Sequence, residues 1–553
     1  MSPYKVLILD LWTIWISRSI PYSFSLSPET FKNITSSAVW FEYERGLITE
    51  EECYQRLADA FSLKLSDVAT ACAETRAVAR EDTTLPSWLR QLRRDMGDDL
   101  AVYAMCNIPE PEFTALRLSC VDCDVLDHIF TSSHVHKRKP DQAFYKHVLR
   151  AVRVRPEEAI FVDESPDSVL VAQSIGMKAL HYSGTDFRRQ ISNLLQESVP
   201  RAHAFLTRNA KELYSTTNTG HTMKDNFTQL LILEALNDRD LVDLREHSRT
   251  WNFFQEKPVL TTEKYPDDFD TTSAAILVLE PKDEALVHSV LDEMLEYSSV
   301  DGILHTYYDH VRPRIDPIVC INVLRLFSKY GRASELSRTA QWVRDVLYHR
   351  AYLNGTRYYP TAEAFLYFFS RYLETTEETV LRDKPDLIVV LKQCLTERLG
   401  TKGDALCIAM RLLAGAYVGI HSPLDLAALR SMQCEDGGWE AGCVYRYGST
   451  GISIGNRGLA TALAVGAISK QNALTAPPQK DDAVNGGPVK RLTNGYPNQP
   501  REQKHLDGRV NGPDEAAHCS GHLQVNGDAH PLDGHAHLGN GGPVIDGVEV
   551  DGH

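Results

Sequence analysis

The string Asp267-Asp268-Phe269-Asp270-Thr271-Thr272-Ser273 places three carboxylates in one turn, directly before the apolar stretch 274–279. An acid able to protonate an alkene must keep its proton at neutral pH, although a free Asp titrates near ~3.9. Burial and a neighbouring carboxylate both raise that value, and hydrogen bonds from other neighbours orient the acidic proton. Asp268 and Asp270 can supply such a pair. Asp followed by Thr is also an ordinary helix cap, which Thr271 or Thr272 would serve, but capping alone does not require three aspartates.

A second set of residues suits phosphoryl transfer. That chemistry needs an aspartate nucleophile, a metal to hold the phosphate against it, and cations or donors on the phosphate oxygens. Asp10, Cys106-Asn107, Lys139-Pro140-Asp141 and Asp163-Glu164-Ser165-Pro166-Asp167 follow one another in an order that fits. A third group mixes aromatic and basic residues: Thr306-Tyr307-Tyr308-Asp309, Arg312-Pro313-Arg314-Ile315-Asp316-Pro317 and Gly355-Thr356-Arg357-Tyr358-Tyr359-Pro360. Aromatic faces stabilise positive charge in a dry cavity. Tyr307, Tyr308, Tyr358, Tyr359, Phe365 and Trp251 are the pool for such a lining, most of them expected to be ordinary core aromatics. Arg312, Arg314 and Arg357 have the planar fork that clamps a diphosphate, or they pair with Asp309 or Asp316.

The elements that must position these groups differ along the chain. Short apolar runs at 4–10, 100–105, 124–130 and 159–163 read as strands separated by helical patterns, hence a mostly parallel sheet with ligands at the carboxyl ends of its strands. Asp10, Asn107 and Asp163 fall at such ends. Residues 31–93 read as an inserted helical cap, with Thr49-Glu50-Glu51-Glu52 as a helix start. From 209 to 468 long amphipathic helices take over, among them 227–236, 272–279 and 318–330, so this half is expected to be all-helical. After 471 the sequence turns to Gly, Pro, Asn, Asp and His without periodicity, which predicts a disordered tail. Its histidines, including His518, His522, His530, His535 and His537, are read as part of a solvated extension.

A chain of 553 residues exceeds what one core organises. The expected division is 1–205, an α/β domain with a helical cap at about 15–95; 206–470, an all-α domain; and 471–553, the tail. The formal net charge of −16 argues against a nonspecific grip on nucleic acid, while leaving room for a local cationic site. No apolar run is long enough for a membrane span, and the stretch 6–20 carries Asp10 and Arg18 inside it, unlike a signal peptide. Eleven cysteines without regular spacing suit reduced thiols and a cytoplasmic enzyme.

The N-terminal strings, with Gly46-Leu47-Ile48-Thr49-Glu50-Glu51, resemble the motifs of the haloacid dehalogenase superfamily over about residues 1–195. The resemblance implies a Rossmann-like fold, Asp10 as nucleophile, Lys139 as phosphate binder, and Asp10, Asp163 and Glu164 as ligands of Mg2+. Two positions depart from it. Trp12 stands where an acid/base Asp is usual, and Cys106 where a hydroxyl is usual. Loss of an acid/base group slows such chemistry by about 10²–10⁴-fold, so a weak or partial phosphatase is expected.

Asp268-Phe269-Asp270-Thr271-Thr272 resembles the DxDTT acid motif of class II terpene cyclases, which implies Asp270 as the acid, Asp268 as its partner, and an α-barrel fold. Gln433-Cys434-Glu435-Asp436-Gly437-Gly438-Trp439 resembles the QW repeat that ties helix ends together in such barrels. No DDxxD run of the ionisation type is present. The domain order resembles that of drimane-type sesquiterpene synthases, chiefly fungal and bacterial, over about residues 1–468. That resemblance implies farnesyl diphosphate as substrate, a drimenyl or albicanyl diphosphate as product, dephosphorylation by the N-terminal domain, and downstream phosphatase or oxidising enzymes as partners. The rival reading is a phosphatase acting on a prenyl phosphate, whose helical half only binds the substrate.

Overall fold

The structure, a computed structural model, describes residues 3–11, 14–18, 25–77, 79–97, 99–119, 123–184, 186–376, 386–448 and 450–475. Trp12 and the expected tail beyond Thr475 lie outside the described residues; 471–475 continue the helix Arg457–Thr475.

Five parallel strands form the N-terminal sheet, in the order His128–Thr131, Ala101–Cys106, Val6–Leu9, Ala159–Asp163 and Lys178–His181. Val6–Leu9 and Ala159–Asp163 are buried on both faces, as their continuous apolar runs require. The expected strand at 124–130 begins only at His128, because Cys123–Val125 turns as a short 3-10 helix. The fifth strand, Lys178–His181, is a half-exposed edge whose alternation is too short to stand out in sequence.

Helices Pro28–Thr35, Ala38–Glu44, Glu50–Phe61 and Leu65–Ala77 form the cap around their own core of Ile34, Tyr43, Cys53, Leu57, Val68 and Ala71. Thr49 caps the third of them, its hydroxyl accepting from the Glu52 N–H. The helix Leu85–Asp95 also falls in the span expected for the cap, yet it packs Leu85, Leu89 and Leu92 against the sheet.

The helical half is a ring within a ring. Inner helices Asn226–Leu236, Phe269–Leu279, Pro317–Lys329, Ala362–Thr375, Ala405–Tyr417 and Arg457–Thr475 pack successively, and the last closes on the first. Outer helices, including Glu284–Leu295, Ser337–Tyr348 and Asp386–Thr396, connect them. The inner helices are apolar around most of their circumference because both faces are covered. Asp225, Asp268, Asp316, Thr361 and Asp404 cap five of them, each side chain accepting from a backbone N–H of the first turn. The half is not all-helical: Ser215–Thr217, Thr222–Met223, Cys443–Arg446 and Ser453–Gly455 form a small antiparallel sheet.

The helix Ser198–Arg208 crosses the expected boundary at 205 and buries Ala202, Phe205 and Leu206 in the helical core. The segment resembling a QW repeat meets it there. Trp439 is fully buried and its indole N–H donates to the Leu429 carbonyl at 2.7 Å. The Gln433 amide donates to the Ser198 and Gly437 carbonyls, both at 2.8 Å. Arg189 reaches the Ser431 carbonyl at 2.5 Å, Asn193 that of Gln433 at 2.9 Å, and Arg201 that of Cys434 at 2.8 Å. The segment thus ties helix ends and also binds the helical half to the N-terminal domain.

Candidate active site

Asp270 lies in the first turn of the helix Phe269–Leu279, opening onto a cavity of about 630 Å³ at the N-terminal ends of the inner helices. That volume lies within the roughly 300–1,000 Å³ usual for small-molecule sites. Asn322, from the neighbouring inner helix Pro317–Lys329, donates to Asp270 Oδ1 at 2.6 Å, and the Tyr359 hydroxyl donates to Oδ2. One donor on each oxygen fixes the plane of the carboxyl group. Burial pushes its pKa up to about 7, against the lowering effect of these two hydrogen bonds. A proton is therefore held near neutrality by a group that faces the cavity.

Asp268 has a different task. Its Oδ1 accepts from the Thr271 N–H at 2.6 Å and its Oδ2 from the Thr271 hydroxyl at 3.0 Å, so both oxygens are used in capping the helix. Burial raises its pKa well above the ordinary value, and the Asp270 carboxylate adds to this. Asp267 points elsewhere, accepting from Thr250 at 2.6 Å and Asn252 at 3.1 Å.

The walls of the cavity are aromatic: Phe227, Phe253, Tyr265, Tyr307, Tyr358, Tyr359, Tyr445 and Tyr447. Burial holds the Tyr307 and Tyr359 hydroxyls neutral by raising their pKa. Of the expected pool, Tyr307, Tyr358 and Tyr359 line the cavity. Tyr308, Trp251 and Phe365 do not: Tyr308 packs on Phe269 at 4.5 Å, Trp251 on His247 at 5.3 Å and Phe365 on Tyr352 at 4.9 Å. Arg314 and Arg357 also line it, joined by Arg446. Among the described residues none of these three arginines has a carboxylate within ion-pair distance, an uncommon state for cations in a chain of net charge −16. Arg312 is not among the lining residues; it pairs with Asp309 at 3.3 Å, the alternative foreseen for it.

Sequence reasoning missed Asn322, Arg446, Tyr445, Tyr265 and Phe227. Asn322 had one signal, an amide inside the otherwise apolar run 318–324. Tyr445-Arg446-Tyr447 had another, an arginine beside two tyrosines, as at Arg357-Tyr358-Tyr359.

In the N-terminal domain, Asp10 and Asp163 end adjacent strands and converge on the Lys139 ammonium, at 2.5 and 2.6 Å, with all three residues buried. Burial alone would lower the Lys139 pKa; the two carboxylates outweigh it and keep the amine charged. Asn107 brackets the lysine backbone, donating to its carbonyl at 2.9 Å and accepting from its N–H at 2.8 Å. Cys106 is buried, and burial raises its thiol pKa, which suits a neutral side chain without a hydroxyl's donor strength. Glu164 stays exposed, with its carbonyl held by His181 at 2.9 Å, and no cluster of three or more metal-ligating residues forms among the described residues. Asp10 and Asp163 nevertheless fit Mg2+, which keeps several waters and takes one or two carboxylates beside a phosphate.

The family described as sesquiterpene cyclase astC-like C-terminal domain matches residues 199–330, and that described as haloacid dehalogenase-like hydrolase matches 115–181. Drimenol cyclase drtB of Aspergillus calidoustus is 43% identical over 491 residues, covering 89% of each chain. Sesquiterpene phosphatase astK of Aspergillus oryzae is 35% identical over 180 residues, 32% of this chain and 90% of that one. The type II terpene cyclase MstE of Scytonema covers 52% of this chain and 99% of its own, at 14% identity and a TM-score of 0.36. The chain belongs to the drimane-type sesquiterpene synthases, enzymes in which a haloacid dehalogenase-like domain precedes a class II terpene cyclase domain.

Proposed function

We propose that this enzyme protonates farnesyl diphosphate through Asp270, closes two rings, and releases a drimenyl or albicanyl skeleton. The observation that carries the reading is one carboxyl group, Asp270, held by Asn322 and Tyr359 with its pKa near neutrality, in an aromatic cavity that also contains arginines without a carboxylate partner among the described residues. Asp270 gives its proton to the distal alkene; the electron pair of the next alkene closes the first ring, and that of the third closes the second. The phenol rings of the wall stabilise each tertiary cation without trapping it, because their hydroxyls remain protonated. Arg314, Arg357 and Arg446 hold the diphosphate, which no step of the cyclisation cleaves.

The N-terminal domain then removes phosphate from the bicyclic product. Asp10 is the nucleophile, and Lys139 neutralises the charge of the incoming phosphate. Asp10 and Asp163 would hold Mg2+, which supplies charge neutralisation at the phosphate oxygens when bound. The similarity of this domain to a sesquiterpene phosphatase supports the reading, and Trp12 limits its rate.

The test is purified enzyme with farnesyl diphosphate and Mg2+, extracted with and without added alkaline phosphatase and analysed by gas chromatography with mass detection, beside Asp270→Ala. A drimane alcohol without added phosphatase supports both steps. The same alcohol only after added phosphatase means that the N-terminal domain is silent. Farnesol alone from both proteins would refute the cyclase reading.

A further inference from the structure

A polyene cyclisation that begins on an acid must end on a base. In the cyclisation of farnesyl diphosphate, ring closure leaves the last cation two bonds from the carbon that bears the diphosphate. The base therefore belongs near the phosphate end of the cavity, away from Asp270. Three hydroxyls that line the cavity are buried without an aligned hydrogen-bond partner among the described residues: Thr306, Tyr358 and Tyr445. Tyr358 lies beside Arg314 and Tyr307, where it suits a phosphate donor. Tyr445 immediately precedes the cavity arginine Arg446 on the strand Cys443–Arg446, and is only 7% exposed.

The Tyr445 hydroxyl lies against a second buried carboxylate, Asp225, without an aligned hydrogen bond to it. Asp225 repeats the design of Asp268. It caps the inner helix Asn226–Leu236 and accepts from the N–H and hydroxyl of Thr228, three residues on, as Asp268 does from Thr271. Its Oδ2 accepts from Ser215 at 2.6 Å, and Ser215 in turn accepts from Asn456 at 3.1 Å. Asp225 is 1% exposed, has no cationic partner among the described residues, and burial raises its pKa. A capping role alone uses the Thr228 contacts and leaves the phenol unexplained.

We propose that Tyr445 is the base that ends the cyclisation and that Asp225 takes the proton from it. The C–H bond beside the final cation breaks and its electron pair becomes the new C=C bond. The proton passes to the Tyr445 oxygen as the phenol's own proton passes to Asp225. Tyr445 stays neutral throughout, and Asp225 returns its proton to water between turnovers while Asp270 takes one up. Tyr445 is the catalytic residue; Asp225 positions it and receives its proton.

This inference rests on the cyclase reading, and one experiment separates the two. Wild type, Tyr445→Phe and Asp225→Asn are incubated with farnesyl diphosphate, treated with phosphatase, and compared by the share of each product among all cyclised products. Asn is a good cap, so Asp225→Asn keeps the helix start while removing the proton acceptor. Loss of a general base slows its step by about 10²–10⁴-fold, so competing quenches take over. In both variants the share of the wild-type alkene is expected to fall at least about tenfold, replaced by its double-bond isomer or a water-captured diol. An unchanged distribution in either variant that melts like wild type overturns the inference. A wild type that forms no bicyclic product overturns the cyclase reading itself.

Discussion

At the residue scale, the proposed acid, Asp270, is defined by what surrounds it. Asp270→Asn keeps the shape but cannot donate the acidic proton, and its amide nitrogen cannot accept one of the two hydrogen bonds that Asn322 and Tyr359 give the carboxyl group, so cyclisation is expected to fall by at least about 10²–10⁴-fold in a protein that still folds, checked by product formation and thermal unfolding. The pH profile follows from the raised pKa. With Asp270 at about 7, the acid is mostly protonated below pH 7 and cyclisation is flat there; above it the rate falls about tenfold per pH unit. The same shift makes this group's contribution to stability decline as pH rises from the unfolded value towards 7, because the folded state binds the proton more tightly. Tyr359 lowers the Asp270 pKa by donating to it, so in Tyr359→Phe the falling limb should move to higher pH while the plateau drops. The two aspartates were legible in the sequence as neighbours because both lie within one turn. Asn322 and Tyr359 were not paired with Asp270, because their contacts span 52 and 89 residues and no local pattern encodes them.

At the element scale, the N-terminus of one helix sets where the acid sits. Asp268→Ala removes the cap of Phe269–Leu279 and is expected to cost about 1 kcal/mol, whereas Asp268→Asn, which can still cap, should melt close to wild type; chemical denaturation of the two variants checks this. Glycine matters at one junction above all. Gly437 has φ +92°, and a Cβ there would lie 2.3 Å from the Arg201 carbonyl oxygen. Gly437→Ala therefore combines backbone strain with a clash against the domain seam, and should lower stability by more than about 1 kcal/mol. Periodicity revealed three of the six inner helices, at 227–236, 272–279 and 318–330, and four of the five parallel strands. It missed Ser215–Thr217, Thr222–Met223 and Ser453–Gly455 because strands of two or three residues carry no period, and the pairing of Ser453–Gly455 with Ser215–Thr217 joins segments more than 200 residues apart.

At the scale of the whole molecule, an acidic chain places Arg314, Arg357 and Arg446 on the wall of one cavity, where we propose that they hold the diphosphate. Arg446→Ala should raise KM for the diphosphate by about tenfold or more, the loss of one charge-assisted hydrogen bond at roughly 1.5–3 kcal/mol, with a smaller effect on kcat. Both domains belong to one compact unit, Met1–Pro478, joined at the segment 431–437. The sequence identified 433–439 as a tie between helices; the neighbouring dock for Arg189 and Asn193, at the Ser431 and Gln433 carbonyls, depends on residues from another domain and could not be read locally.

The central claim is that cyclisation begins with a proton from Asp270 while the diphosphate stays in place. The most direct measurement is incubation with farnesyl diphosphate in D2O, followed by phosphatase treatment and mass spectrometry of the bicyclic alcohol. The account predicts one non-exchangeable deuterium in the ring that closes first, and no bicyclic product from Asp270→Asn. A bicyclic product without ring deuterium would contradict it.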